Sequence, residues 1–80
     1  MIEVHVQAFG ILKDFIGSTE VKWTLEGEMT ALSMKAFIKE NFMVHPQLPI
    51  AVVRDNRYLA DDAMIQDQDH LFLMPPVSGG

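Results

Sequence analysis

Thr30-Ala31-Leu32-Ser33-Met34-Lys35-Ala36-Phe37-Ile38-Lys39-Glu40-Asn41-Phe42 is the stretch of this chain with helical periodicity over several turns. Thr30 stands where its hydroxyl can accept a hydrogen bond from one of the amides that a helix start leaves unpaired. Ala31, Met34, Phe37, Ile38 and Phe42 then recur at a spacing that gathers them on one stripe. The pattern predicts a helix from Thr30 to about Phe42 with that stripe in the core. Pro46 and Pro49 bracket a connector that cannot prolong it.

Outward from the helix, both flanks read as strands. Upstream, Ile2, Val4, Val6 and Ala8 alternate with Glu3, His5, Gln7 and Phe9, the period of two of a strand with one buried face. Phe9 breaks the polar side of that pattern. Gly10 punctuates, and Ile11 to Ile16 predicts a short helical turn closed by Gly17. Val21, Trp23 and Leu25 oppose Glu20, Lys22 and Thr24 in a second strand, returning antiparallel, and Glu26-Gly27-Glu28 makes a turn before Thr30. Downstream, Ala51-Val52-Val53 and Tyr58-Leu59-Ala60 flank Arg54-Asp55-Asn56-Arg57, whose central Asp-Asn tolerates the positive φ of a tight hairpin. After Asp61-Asp62 and a turn at Asp67-Gln68-Asp69, Leu71 to Met74 forms the last strand. Pro75-Pro76 ends it, because proline supplies no ladder donor.

Two strands, one helix, a hairpin and a last strand give an α+β fold, a mixed sheet packed on one main helix. In that order the expectation is a β-grasp, ubiquitin-like roll over residues 1–75, with 76–80 as a flexible C-terminal tail. Because neighbours on a strand face opposite sides, Leu71 and Leu73 toward the helix put Phe72 and Met74 outside. With Phe9 and Tyr58 they form a candidate docking patch beside the tail.

Composition narrows the function. Eighty residues make one domain with a small core and no room for a deep cleft. No apolar run approaches the ~20 residues of a membrane span, Met1 leads directly into a strand pattern without a signal-peptide character, and there is no cysteine; the expectation is a soluble, cytoplasmic protein. Eleven acidic against six basic residues leave a net charge of -5, which disfavours binding to phosphate backbones and suits a basic protein partner.

Conventional catalytic patterns are missing. His5, His45 and His70 lack ligand spacing, and read as ordinary surface or partly buried histidines. Ser18, Ser33 and Ser78 have no evident base, and the aspartates of 61–62 and 67–69 read as turn residues that accept local backbone bonds or face water. The glycines form no phosphate-cradling motif. The chain carries no machinery to run a reaction alone. What remains is the end, Val77-Ser78-Gly79-Gly80: two residues without side chains carrying a terminal carboxylate, thin enough to enter a partner's channel.

The opening strand from residue 2, Gly17, Ala51-Val52, the acidic turn at Asp67 and Asp69, and above all Pro75-Pro76-Val77-Ser78-Gly79-Gly80 resemble the MoaD/ThiS family of ubiquitin-like sulfur carriers. The resemblance spans nearly all of the chain, and its ending is most like that of the molybdopterin synthase branch. It departs from the family pattern at Val53, where asparagine is usual, at Gln68, where glycine is usual, and at His70, where an acidic residue is common.

The resemblance implies a small subunit of molybdopterin synthase. A ubiquitin-activating-like enzyme adenylates Gly80 with ATP, a sulfur donor protein converts it to a thiocarboxylate, and the tail enters the large synthase subunit to deliver sulfur to cyclic pyranopterin monophosphate. The chain itself binds no cofactor or metal. Gly80 is then the reactive residue and Gly79 its channel clearance. Phe9, Lys13, Tyr58, Phe72 and Met74 bind partners, as do Pro75, Pro76, Val77 and Ser78 along the tail. A carrier for thiazole or another pathway, a ubiquitin-like protein modifier and an inert interaction module remain as alternatives.

Overall fold

The computed structural model describes residues 1–76; Val77, Ser78, Gly79 and Gly80, the expected reactive end, lie outside the described residues. Strand β1 (Ile2–Ala8) buries Ile2, Val4, Val6 and Ala8 and turns Glu3, His5 and Gln7 to the other side. Strand β2 (Glu20–Leu25) returns antiparallel, with Ile2 opposite Leu25 and Val6 opposite Val21. Between them helix α1 (Ile11–Ile16) makes a turn and a half, buries Leu12, and closes at Gly17, whose φ of 86° is the left-handed conformation expected of a C-terminal glycine.

Helix α2 (Ala31–Asn41) starts as predicted, with Thr30 Oγ1 accepting from the Ser33 amide at 3.1 Å. Its Ala31, Met34 and Ile38 are fully buried, but Phe37 and Phe42 are only partly so. They turn to the rim and clasp Trp23 of β2, Phe37 edge-on and Phe42 stacked, each at 5.5 Å between ring centroids. The stripe is core at its centre and an aromatic clasp at its end.

Strands β4 (Ala51–Arg54) and β5 (Arg57–Tyr58) form the hairpin, and Asp55 and Asn56 have φ of 53° and 63° at its tip. Strand β7 (His70–Met74) begins one residue before the predicted Leu71 and inserts between β1 and β4, parallel to the first and antiparallel to the second. The sheet order is β2-β1-β7-β4-β5, and α2 covers one face.

Two strands escaped the periodicity reading. Strand β3 (Met29–Thr30) and strand β6 (Met64–Ile65) pair antiparallel as a separate ribbon. The segmentation into two strands, a helix, a hairpin and a last strand is therefore incomplete, since a two-residue strand has no period to read. The ribbon anchors the start of α2. Ala31 and Leu32 donate their amides to the carbonyls of Ala63 and Asp61 at 2.8 and 3.0 Å, which satisfies two groups the helix cannot. No helix among the described residues is long and apolar enough to cross a membrane.

Candidate functional site

The face of the sheet away from α2 is organised in rows set by strand register. One row runs across all five strands: Glu20, Gln7, Phe72, Val53 and Tyr58 are successive direct partners from β2 to β5. Beside it, Met74 lies opposite Ala51. Directly opposed side chains share a face, so Phe72, Val53, Tyr58, Met74 and Ala51 form one apolar surface on the β7-β4-β5 side. Phe9 extends it, its ring tilted on Phe72 at 5.8 Å, and remains 42% exposed, while Tyr58 is 59% exposed. The predicted docking residues Phe9, Tyr58, Phe72 and Met74 are thus brought together, and two apolar residues the sequence reading did not place in the patch, Val53 and Ala51, lie between them in register.

Strand β7 ends at this surface, and Pro75 and Pro76 follow it. The Phe9 amide donates to the Leu73 carbonyl at 2.9 Å, which holds the end of β7 against the end of β1. Gly10 follows with φ 60° and ψ -141°, a conformation that L-residues rarely adopt. Pro75 and Pro76 are both exposed. Lys13 is exposed on α1, apart from the rows of the sheet. Val77, Ser78, Gly79 and Gly80 lie outside the described residues, so the geometry ends at the root of the expected reactive arm.

A model of the ThiS family matches residues 6–80. The chain belongs to the ThiS family, whose members are ubiquitin-like sulfur carriers. Among solved structures, a molybdopterin converting factor subunit 1 of Pyrococcus furiosus is similar, with a TM-score of 0.81 at 20% identity over 96% of this chain and all of that one. SAMP1 of Haloferax volcanii aligns with a TM-score of 0.67 at 25% identity over 98% of this chain and 99% of its own. Caldiarchaeum subterraneum ubiquitin aligns at 0.66 and 14% identity, over 99% and 98% of the two chains. These likenesses bear on the ubiquitin-like fold. No curated protein matches.

The three departures of this ThiS-family chain each have a physical place. Val53, 9% exposed, sits at the middle of the apolar row between Phe72 and Tyr58, where asparagine would interrupt it. Gln68 has a φ of 68°, the conformation for which glycine is usual, and donates its amide to the Glu3 carbonyl at 2.6 Å. His70 is the direct partner of His5, and the two imidazoles stack at 4.6 Å with 10° between their planes.

The stack belongs to a polar half of the outer face, which meets the apolar half where Gln7 lies opposite Phe72. His5, Gln7, Glu20, Lys22, His70 and Phe72 line an open groove of about 320 Å³. Lys22 is opposite His5 and reaches Glu3 at 3.9 Å, and Gln7 Nε2 donates to Glu20 at 2.6 Å, so these charges are largely matched locally. The sequence reading expects ordinary surface or partly buried histidines. His5 is half-buried and His45 and His70 are exposed, in keeping with it, but His5 and His70 are neighbours, which no sequence spacing could signal. Among the described residues no group of three or more His, Asp or Glu side chains is placed to hold a metal ion.

The acidic turn does more than accept local bonds. Asp67 Oδ1 takes the amide of Glu3 at 2.7 Å, from the other end of the chain, and Asp69 Oδ2 takes both the Gln66 amide at 2.9 Å and the Arg54 guanidinium at 2.7 Å. Local capping therefore describes only the Gln66 bond. The longer bonds tie the start of β7 to β1 and β4, between which it inserts.

Proposed function

We propose that the chain is the sulfur-carrying small subunit of a molybdopterin synthase, a cytoplasmic protein whose own contribution to the chemistry is its terminal carboxylate. The observation that carries this reading is Pro75-Pro76-Val77-Ser78-Gly79-Gly80, issuing from a ThiS-family body at the border of an exposed apolar surface.

The chemistry needs partners because an ionised carboxylate is a poor electrophile. Adenylation of Gly80 by a ubiquitin-activating-like enzyme forms an acyl phosphate linkage to AMP and releases pyrophosphate from ATP. Sulfide-level sulfur supplied by a donor protein then attacks the acyl carbon, the acyl–phosphate bond breaks and AMP leaves, giving the thiocarboxylate with no change of oxidation state. In the large synthase subunit that sulfur attacks cyclic pyranopterin monophosphate on the way to the dithiolene, and the carboxylate is regenerated by water. The apolar patch around Phe72 supplies affinity for these partners. From Pro76 the last five residues span at most about 17 Å when extended, sufficient to enter a pocket while the body stays outside. Gly79 gives clearance in the channel, since it presents only hydrogens.

The similarity to a Pyrococcus furiosus protein named as a molybdopterin converting factor subunit supports the reading at the level of fold. A second reading, conjugation of Gly80 to other proteins, is favoured by the likeness to SAMP1 and to an archaeal ubiquitin. The test is the intact mass of the carrier purified from its own cells, together with reconstitution from activating enzyme, ATP, sulfur donor, large subunit and pterin precursor. The expected outcome is a mass increase equal to one oxygen replaced by sulfur, and molybdopterin formation that Gly79→Val abolishes while leaving docking intact. Isopeptide-linked adducts on cellular proteins, with no thiocarboxylate, would establish the modifier reading.

A further inference from the structure

We infer that Gly10 is a positioning residue for the C-terminal reaction: by lacking a side chain it seats the ring of Pro75 and so sets the direction in which the tail leaves the body. A Cβ at Gly10 would lie 3.2 Å from Pro75 Cγ and 3.3 Å from Cδ, closer than ordinary carbon contacts. Those ring atoms belong to the first residue after β7, and proline fixes its own φ, so the ring cannot yield by rotating a side chain. The seat is itself fixed. The Phe9 amide is bonded to Leu73, one strand over, and the Gly10 carbonyl accepts the Lys13 amide at 3.2 Å as α1 begins.

Gly10 thus meets two separate requirements. Its φ of 60° with ψ of -141° is a backbone requirement that concerns the fold. The space it leaves for Pro75 concerns the tail. A methyl group there displaces the root of the arm, from which Gly80 has to be presented to its partners. Docking should survive this, because the apolar face belongs to the body, whereas alignment of the terminal carboxylate with ATP should not.

This inference deepens the carrier reading and rests on it for its kinetic test. ATP–pyrophosphate exchange by the activating enzyme gives kcat and KM, and calorimetric titration gives Kd, for the intact chain. Gly10→Ala is expected to lower kcat by as much as about 10²-fold with Kd and KM little changed. Adding Gly10→Ala to a Pro75→Ala chain is expected to cost much less, because the ring that clashes is gone. A merely structural glycine would instead lower the melting temperature, leave kcat of the folded protein unchanged, and cost the same in both backgrounds; any of the last two results overturns the inference. Should Gly10→Ala fail to fold, Pro75→Gly decides alone: it releases the root without touching Gly10, so a fall in kcat exceeding any weakening of Kd from the lost Pro75 contact supports the seat and wild-type turnover overturns it. If the wild-type chain is not adenylated at all, the carrier reading fails separately. The seat is then judged by residual dipolar couplings of the Val77 to Gly80 amides in wild type and Gly10→Ala, where altered couplings support it and identical ones overturn it.

Discussion

Alternate residues of β7 belong to two different problems. Leu71 and Leu73 are essentially inaccessible against α2, whereas Phe72 and Met74, of the same chemical class, lie half-buried on the opposite face next to Phe9 and Tyr58. The inner face spends its apolar surface within the chain, and the outer face leaves a contiguous area to be covered by something else. The difference shows that apolar content alone does not mark a core; what decides is the side of the pleat on which each residue falls.

Leu73→Ala tests the inner side and should have the largest effect. It removes a fully buried side chain between β1, β4 and α2, and a loss of about 2–5 kcal/mol in unfolding free energy by denaturant titration is expected. The fraction that remains folded should bind its partner normally. Moving one residue along, Phe72→Ala should do the reverse: binding to the large subunit or activating enzyme weakened by about 1–3 kcal/mol, with a smaller change in stability. Phe9→Ala should behave like Phe72→Ala. If either costs more stability than affinity, the outer surface is a second core and the two-face distinction collapses.

Asp69→Ala sharpens the comparison by loosening β7 as a whole. It strands the partly buried Arg54 guanidinium and the Gln66 amide, and about 1–2 kcal/mol of stability should be lost. Hydrogen exchange should rise along β7 on both faces alike. Gln68→Gly should act in the other direction, gaining about 0.5–1 kcal/mol because the residue already holds a positive φ that glycine adopts freely. An unchanged or lower melting temperature would mean that the Gln68 side chain offsets the strain. The smallest effect belongs to the polar half of the outer face. His70→Ala removes an exposed cross-strand stack worth about 0.2–1 kcal/mol, and leaves the apolar patch as it was. Partner affinity that falls as much as in Phe72→Ala would extend the docking surface across the histidines.

Much of this was open to sequence reading, and the particular successes share a cause. The alternation in Ile2 to Ala8, the stripe from Ala31 to Ile38, the left-handed Gly17 and the Asp55-Asn56 turn are each local signals, written within a few residues. The clustering of Phe9 with Phe72 followed from the same parity argument. The ribbon of Met29–Thr30 with Met64–Ile65 stayed hidden because two residues carry no period. Phe37 and Phe42 were assigned to the core because a helical stripe does not reveal where the sheet beneath it ends.

By itself, then, the sequence determined the longer strands, the helix, the tight turns and the alternation of buried and exposed sides in β1, because side-chain period and turn chemistry are properties of neighbours along the chain. Only the tertiary structure decided that β7 lies between β1 and β4. From that one insertion follow the row from Glu20 to Tyr58, the stacking of His5 on His70 and the seating of Pro75 on Gly10. Parallel pairing of the first and last strands joins residues more than sixty positions apart. Its register is fixed by which buried faces must meet over one helix, a condition on the whole chain that no local segment contains.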